Sequence, residues 1–274
     1  MSVNAILKKA GLWTDGFNLD FWKQGGLIVR GLKQHDMVYN QHASAKFPVG
    51  TRLQLGDRTF YYAKAGEALV AGGLVQSAAK GGATTLQTYC AVSTAGTVGG
   101  KTVTVTIASD TLTANQFKDG FLITDAGSAV QGGGQCYKIK SHPAGSGNVT
   151  FTLYDKQVVA ISTNAKVSLV ANKYRGVIRA PATTATGIPV GVPLIAVTSA
   201  YYFWLQTWGI CPVRGPEADI AAGHPVVVGL TKDTCKAQPA TAEDECVIGD
   251  CVVPLDYTGA KAQDWAVIDL KLAP

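Results

Sequence analysis

Thr51-Arg52-Leu53-Gln54-Leu55-Gly56-Asp57-Arg58-Thr59-Phe60-Tyr61-Tyr62-Ala63 is the stretch from which the fold can be read. Thr51 to Leu55 alternates polar and apolar residues with period two, which sends successive side chains to opposite faces of a strand. Gly56-Asp57 is turn chemistry, and Arg58 to Ala63 returns as a second strand rich in aromatic residues. A hairpin is the simplest structure for this text. From Phe47 onward the same kind of text recurs.

Downstream, Leu69 to Gln76 reads as a third strand kinked at Gly72-Gly73. Between about residues 84 and 171 the composition shifts to Thr, Val, Gly and Ser. Thr102 to Ile107 (TVTVTI) alternates strictly, and Phe121 to Thr124, Gln135 to Lys140, Val149 to Tyr154 and Lys166 to Val170 follow at regular spacing. The segments Asp119-Gly120, Gly132-Gly133-Gly134 and Gly145-Ser146-Gly147-Asn148 supply the turns. Short strands with glycine-rich turns predict a small sandwich or barrel, inserted into a domain whose style resumes after 172. That resumed part holds Leu194 to Thr198, Tyr201 to Trp208 (YYFWLQTW), Val226 to Leu230, Val247 to Val253 and Trp265 to Leu272. In YYFWLQTW, Tyr201, Phe203 and Leu205 face one way, and Tyr202, Trp204 and Trp208 face the other. Both faces are apolar, so both have to be covered.

The first 46 residues differ. Asn4 to Leu12 predicts two helical turns ended by Gly11 and Gly16. Trp13, Phe17, Phe21 and Trp22 then lead to Gly25-Gly26 and Leu27-Ile28-Val29. This is too little chain for a core of its own, and it reads as an arm that packs on another surface. The expected organisation is all-β: an arm at 1–46, a main barrel or sandwich domain at 47–83 and 172–274, and an inserted small β domain at 84–171.

Composition narrows the function. The 274 residues are 47% hydrophobic and only 16% charged, against roughly 25% charged in an average chain. Disorder is excluded by that balance. Glycine is enriched, at 31 residues, without the three-residue period of collagen. So little ionic surface implies that much of the surface is covered by copies of the chain or by a neighbour. The net charge of +5 is mild. Residues 1–46 hold six basic groups against three acidic ones, but no Lys/Arg run exceeds two, which argues against a dedicated nucleic-acid binder. Neither a secretory signal nor an apolar stretch of about 18 residues is evident, so synthesis in a cytoplasm and no membrane span are expected.

No catalytic, cofactor or metal site emerges. Ala95-Gly96-Thr97-Val98-Gly99-Gly100-Lys101-Thr102 fits a relaxed phosphate-loop pattern, but a strand follows Lys101 where such a loop needs a helix. His35, His42, His142 and His224 are scattered, and no G-x-S-x-G is present. The six cysteines form no C-x-x-C and no finger spacing with histidine. Reduced thiols are the plain reading. Cys235, Cys246 and Cys251, crowded in one loop-rich stretch, are the candidates for disulfides formed in an oxidising medium.

Phe47-Pro48-Val49-Gly50-Thr51 through Phe60 to Gly66 resembles the opening of structural proteins of tailed-phage particles. So does Thr186-Gly187-Ile188-Pro189-Val190-Gly191-Val192-Pro193 running into the aromatic segment. Gly223-His224-Pro225-Val226-Val227-Val228-Gly229, Val247-Ile248-Gly249-Asp250 and Ile268-Asp269-Leu270 are similar to parts of β-rich capsid decoration, or cement, proteins. The resemblance covers about 47–80 and 172–274. It implies a non-enzymatic virion protein without cofactor or metal that binds the major capsid protein and its own copies, commonly as a trimer. The interface candidates are Trp13, Phe17, Phe21, Trp22, Tyr202, Trp204 and Trp208. The alternative is a tail, fibre or receptor-binding module that recognises a host-surface glycan.

Overall fold

A computed structural model of the chain describes residues 18–21, 27–30, 37–78, 86–125, 133–181, 186–215, 219–239, 245–253 and 265–274. Among these residues there are nineteen strands, a 3₁₀ turn at 37–39 and no α-helix, so the chain is all-β. It divides into two compact units, Met1–Ala78 with Tyr174–Pro274, and Ala79–Lys173.

The first unit opens with β1 (Asn18–Phe21), β2 (Leu27–Arg30), β3 (Gln41–His42), β4 (Arg52–Leu55), β5 (Arg58–Ala65) and β6 (Val75–Gln76). The second unit supplies β7 (Leu86–Thr94), β8 (Thr102–Leu112), β9 (Phe121–Asp125), β10 (Cys136–Ser141), β11 (Gly145–Leu153) and β12 (Lys166–Val170). The chain then returns to the first unit as β13 (Arg175–Arg179), β14 (Pro189–Pro193), β15 (Tyr202–Arg214), β16 (Pro225–Val228), β17 (Cys235–Ala237), β18 (Val247–Val253) and β19 (Trp265–Lys271).

The second unit is a closed barrel in the order β10-β11-β8-β7-β12-β9. Closure leaves no sheet edge to protect. TVTVTI shows how the sequence builds it. Val103, Val105 and Ile107 are buried with Val149, Phe151 and Leu153 of β11. The intervening threonines face out: Thr104 shares a hydroxyl hydrogen bond with Thr150 (2.9 Å), and the Thr106 hydroxyl donates to Asn148 Oδ1 (2.9 Å). Such cross-strand pairs fix the register, because a one-residue slip would turn the valines to water.

The first unit is one mixed sheet, β1-β2-β4-β5-β13-β6-β14-β15-β19-β18-β16-β17, with β3 against β15. The expected hairpin is β4–β5, with Leu53 opposite Phe60. Because β5 also pairs with β15, the path β5-β13-β6-β14-β15 returns on itself. Both faces of β5 and β15 are therefore covered. Ala63, Ala65, Phe203 and Leu205 join one core with Val177 and Val190, while Phe60, Tyr62 and Trp204 join another with Val38 and Leu53. Beyond position 206 a bulge against β5 shifts the register. The buried Gln206 amide secures it, donating through Nε2 to the carbonyls of Trp208 (3.1 Å) and Ile210 (2.9 Å). From there Cys211 and Val213 point into a third core with Ile248, Ile268 and Leu270.

Three expected elements differ. Leu69 to Gln76 is a strand only at Val75–Gln76, and Leu69 makes an isolated bridge to Val197. Between them the chain turns at Gly72 (φ 68°), with the Gly73 amide donating to the Val70 carbonyl. Leu194 to Thr198 likewise yields only that bridge, since the strand lies earlier, at Pro189–Pro193. Gly145 to Asn148 is not a turn but the bulged start of β11, with Gly147 at φ 67°. The expected helix at 4–12 lies outside the described residues.

Candidate functional site

Past the Gln206 bulge, alternate residues of β15 reach the outer face of the sheet, and β19 and β18 continue that face. Register places Pro212 beside Val267, and Val267 beside Val253. This is an apolar row across three strands, about 10 Å wide at the ordinary strand spacing. Ile210, Val252, Val253 and Trp265 around it are each more than two-fifths exposed. Val252 and Val253 are both exposed although adjacent, because a bulge interrupts the β18–β19 register between Cys251 and Val253. The edge of the Trp265 ring abuts Gly72, where a Cβ would fall 2.0 Å from it. The row is bordered on one side by Asp269 and Asp250, which face each other across the strands, with the Lys271 ammonium on Asp250. That ion pair raises the Lys271 pKa. On the other side stands Arg214, whose Nη1 lies 3.2 Å from Asp233 Oδ1.

The barrel carries a second exposed apolar face. Phe121 and Ile123 point outward from β9, and Tyr89 outward from β7, all exposed. Phe121 lies between Lys138 and Val170, and Ile123 between Cys136 and Ser168. The Lys166 ammonium sits 5.7 Å from the centre of the Tyr89 ring.

These faces are not where the sequence placed the interface. Trp204 is only 2% exposed, with its ring 5.0 Å from that of Tyr62 and 5.4 Å from that of Phe47. It is a core residue, which corrects its reading as an interface group. The covering of its face comes from β4, β5 and the 37–47 segment of the same chain. Tyr202 stacks on Tyr62 at 6.0 Å and is half-buried, as is Trp208. Phe21 ends β1, while Trp13, Phe17 and Trp22 lie outside the described residues. Ile210, Pro212, Val252, Val253, Trp265 and Val267 do not stand out in the sequence, because in one dimension they are indistinguishable from core strand residues. Strand order leaves the outer face of β19 with Trp265 and Val267 uncovered, and the bulges at 206–208 and 251–253 bring Ile210, Pro212, Val252 and Val253 out beside them.

The six cysteines form no disulfide in this structure: Cys90, Cys211, Cys235 and Cys251 are buried, Cys136 and Cys246 exposed. The expected disulfide candidates Cys235, Cys246 and Cys251 are not bonded to one another. Cys235 (β17) and Cys251 (β18) lie on strands separated by β16, and Cys246 adjoins β18. Two strand spacings are about 9.6 Å, beyond the roughly 7 Å that a disulfide spans between Cα atoms. Burial pushes the Cys90 and Cys251 thiols up and the Cys211 thiol up to about 12, so none of these three is activated as a nucleophile.

The relaxed phosphate-loop match lies in the β7–β8 hairpin. Its amides already serve protein carbonyls: Gly96 N donates to Ile161 O (2.9 Å), Gly99 N to Gln157 O (2.8 Å) and Gly100 N to Thr97 O (2.9 Å). Lys101 Nζ donates to Tyr154 O at 2.7 Å. No cradle for phosphate is left there. His142 is likewise structural: its Nε2 accepts the Phe117 amide at 3.0 Å, and Nδ1 contacts Pro143 O at 2.8 Å, so Nδ1 carries the proton. His42 lies in β3, and His35 lies outside the described residues. Among the described residues no cluster of three or more His, Cys, Asp or Glu has the makings of a metal site, and no helix is long and apolar enough to cross a membrane. The sequence matches no family model, and no curated protein or solved structure is significantly similar to it.

Proposed function

We propose that this chain is a non-enzymatic structural protein of a tailed-phage particle, which binds the assembled shell and reinforces it as a decoration protein, in association with its own copies. The observation that carries the reading is the outward row Pro212–Val267–Val253 with Ile210, Val252 and Trp265 around it. Contiguous apolar surface of this kind, rimmed by charges, is what an assembly interface presents. A reinforcing protein acts through area: interfaces of ~1,600 Å², repeated over many symmetric copies, add up to strong retention from modest contacts. Copies joined as a trimer, as the resemblance implies, would multiply those contacts further.

The tail-fibre alternative rests on the inserted β domain and on the aromatic run as a sugar platform; with Trp204 enclosed by Phe47 and Tyr62, the second support is weaker. The test is co-sedimentation of the purified full chain with intact phage heads that lack it. Saturable binding is expected, and protein that stays in the supernatant at every concentration overturns the proposal.

A further inference from the structure

The barrel unit differs from the rest of the chain in charge. Ala79–Lys173 holds eight lysines, four aspartates, no arginine and no glutamate, a surplus of four out of the chain's +5. The outer wall formed by β10, β9, β12 and β7 carries Lys138, Lys140 and Lys166 against Asp125, beside exposed apolar groups. Phe121 is 39% exposed and Tyr89 63%. Lys138 and Val170 flank Phe121 in register, and Cys136 and Ser168 flank Ile123. Lys140 is exposed further along β10, and Lys166 lies opposite Asp125, which is also exposed.

Tyr89 is singular. Its φ of 55° is in the left-handed region that a bulky residue rarely adopts. The distortion falls where the β7–β12 register slips between Val167 and Leu169, and the Tyr89 amide donates to Ser168 Oγ (3.4 Å). Core packing does not account for the distortion, because the ring is in water with Lys166 beside it. Strained backbone that presents a side chain outward is a feature of binding surfaces.

On the reading of the protein as a decoration protein, we propose that this wall is the surface that docks on the shell. Its occupant is an acidic patch of the shell protein with an apolar centre. Phe121, Ile123 and Tyr89 supply the water-excluding middle, and Lys138 and Lys166 the complementary charge. The apolar row of the first unit, bordered by Asp250 and Asp269, suits an acidic partner less well and is the face for association between copies of the chain.

The experiment compares the wild-type chain with Phe121→Glu, the double variant Lys138→Glu/Lys166→Glu, and a control on the first unit outside both apolar surfaces, Leu230→Glu, at a residue 63% exposed. Each is checked for an unchanged melting profile, and Lys138→Gln/Lys166→Gln serves if the charge reversal disturbs folding. Binding to heads that lack the protein is read by co-sedimentation between about 50 and about 500 mM salt, a range that screens surface charge. Wild-type binding should weaken with salt. The barrel variants should lose about tenfold or more in affinity, a factor ordinary for a desolvated charge contact, while the control binds as wild type does. If wild type binds and the barrel variants match it, this proposal is wrong and the decoration reading stands. If wild type binds no heads at all, both fall. Binding instead to a fluorescent oligodeoxythymidylate, lost in the same variants, would overturn the shell assignment and make the wall a nucleic-acid surface.

Discussion

Trp204→Ala is the sharpest probe of how the first unit is built. The indole is 2% exposed and lies among Val38, Leu53, Leu55, Phe60 and Tyr62. Truncation to Ala removes about 200 Å² of buried apolar surface, worth about 5 kcal/mol at ~25 cal/mol per Å². Measured aromatic-to-Ala changes in cores cost about 3–5 kcal/mol, since the neighbours relax part-way into the space. The two ring contacts, at 5.0 Å and 5.4 Å, keep the expectation near the upper half of that range, about 4 kcal/mol. For a body of roughly 150–250 residues this lowers the melting midpoint by about 8–16 °C. The assay is thermal and urea denaturation followed by circular dichroism, with Trp204→Phe as the milder change. It keeps a ring against Phe47 and Tyr62 and should lose no more than about half as much. A loss below about 1 kcal/mol, the scale of a surface change, would refute the placement of Trp204 in the core.

Asp233 supports a second prediction. Its carboxylate is fully buried, 2.7 Å from Arg179 Nε and 2.6 Å from Arg179 Nη2, with Arg214 Nη1 at 3.2 Å. Asp233→Asn keeps a residue tolerant of the local φ of 65° but strips the charge from between two guanidinium groups. Because both arginines reach water, the cost should fall below the usual 3–5 kcal/mol for a broken buried pair, at about 2–3 kcal/mol in a urea melt, and an unchanged midpoint would contradict it. A third prediction concerns alkaline pH. The Cys211 thiol is raised to about 12 in the fold. Between the unfolded value near 9 and about 12, the unfolded chain has released a proton that the folded chain keeps, so stability falls as pH rises. The slope due to this group is at most about 1.4 kcal/mol per pH unit, and Cys211→Ala should remove it; identical pH profiles for variant and wild type would disprove the assignment.

Much of the fold is legible from local pattern. The β4–β5 hairpin, the TVTVTI strand, Lys166–Val170 and Val247–Val253 all follow from alternation and turn residues, and so does the all-β class. Elements whose determinants are non-local do not. Pro189 and Pro193 lack backbone donors and mask β14, which is held by pairing with β6 and β15. In β7 the alternation breaks at Tyr89, where the register slips. Gly145 and Gly147 look like a turn but serve a bulge opposite Leu112 and Ile107. The candidate surfaces are hidden for the same reason. Hydrophobicity marks Trp204 and Trp265 alike, and only strand order decides that the first is enclosed and the second faces out. Strand order also separates Cys235 from Cys251, although they are close in sequence.

The most direct test of the central claim is the heat resistance of phage heads with and without this protein. Heads lacking it are warmed with a DNA-binding dye, with and without saturating purified protein, and the temperature of genome release is recorded. A protein that spans shell subunits should raise that temperature by several degrees and do so in proportion to its occupancy. Release at the same temperature on fully occupied heads would mean that the protein binds without reinforcing, which contradicts the decoration role.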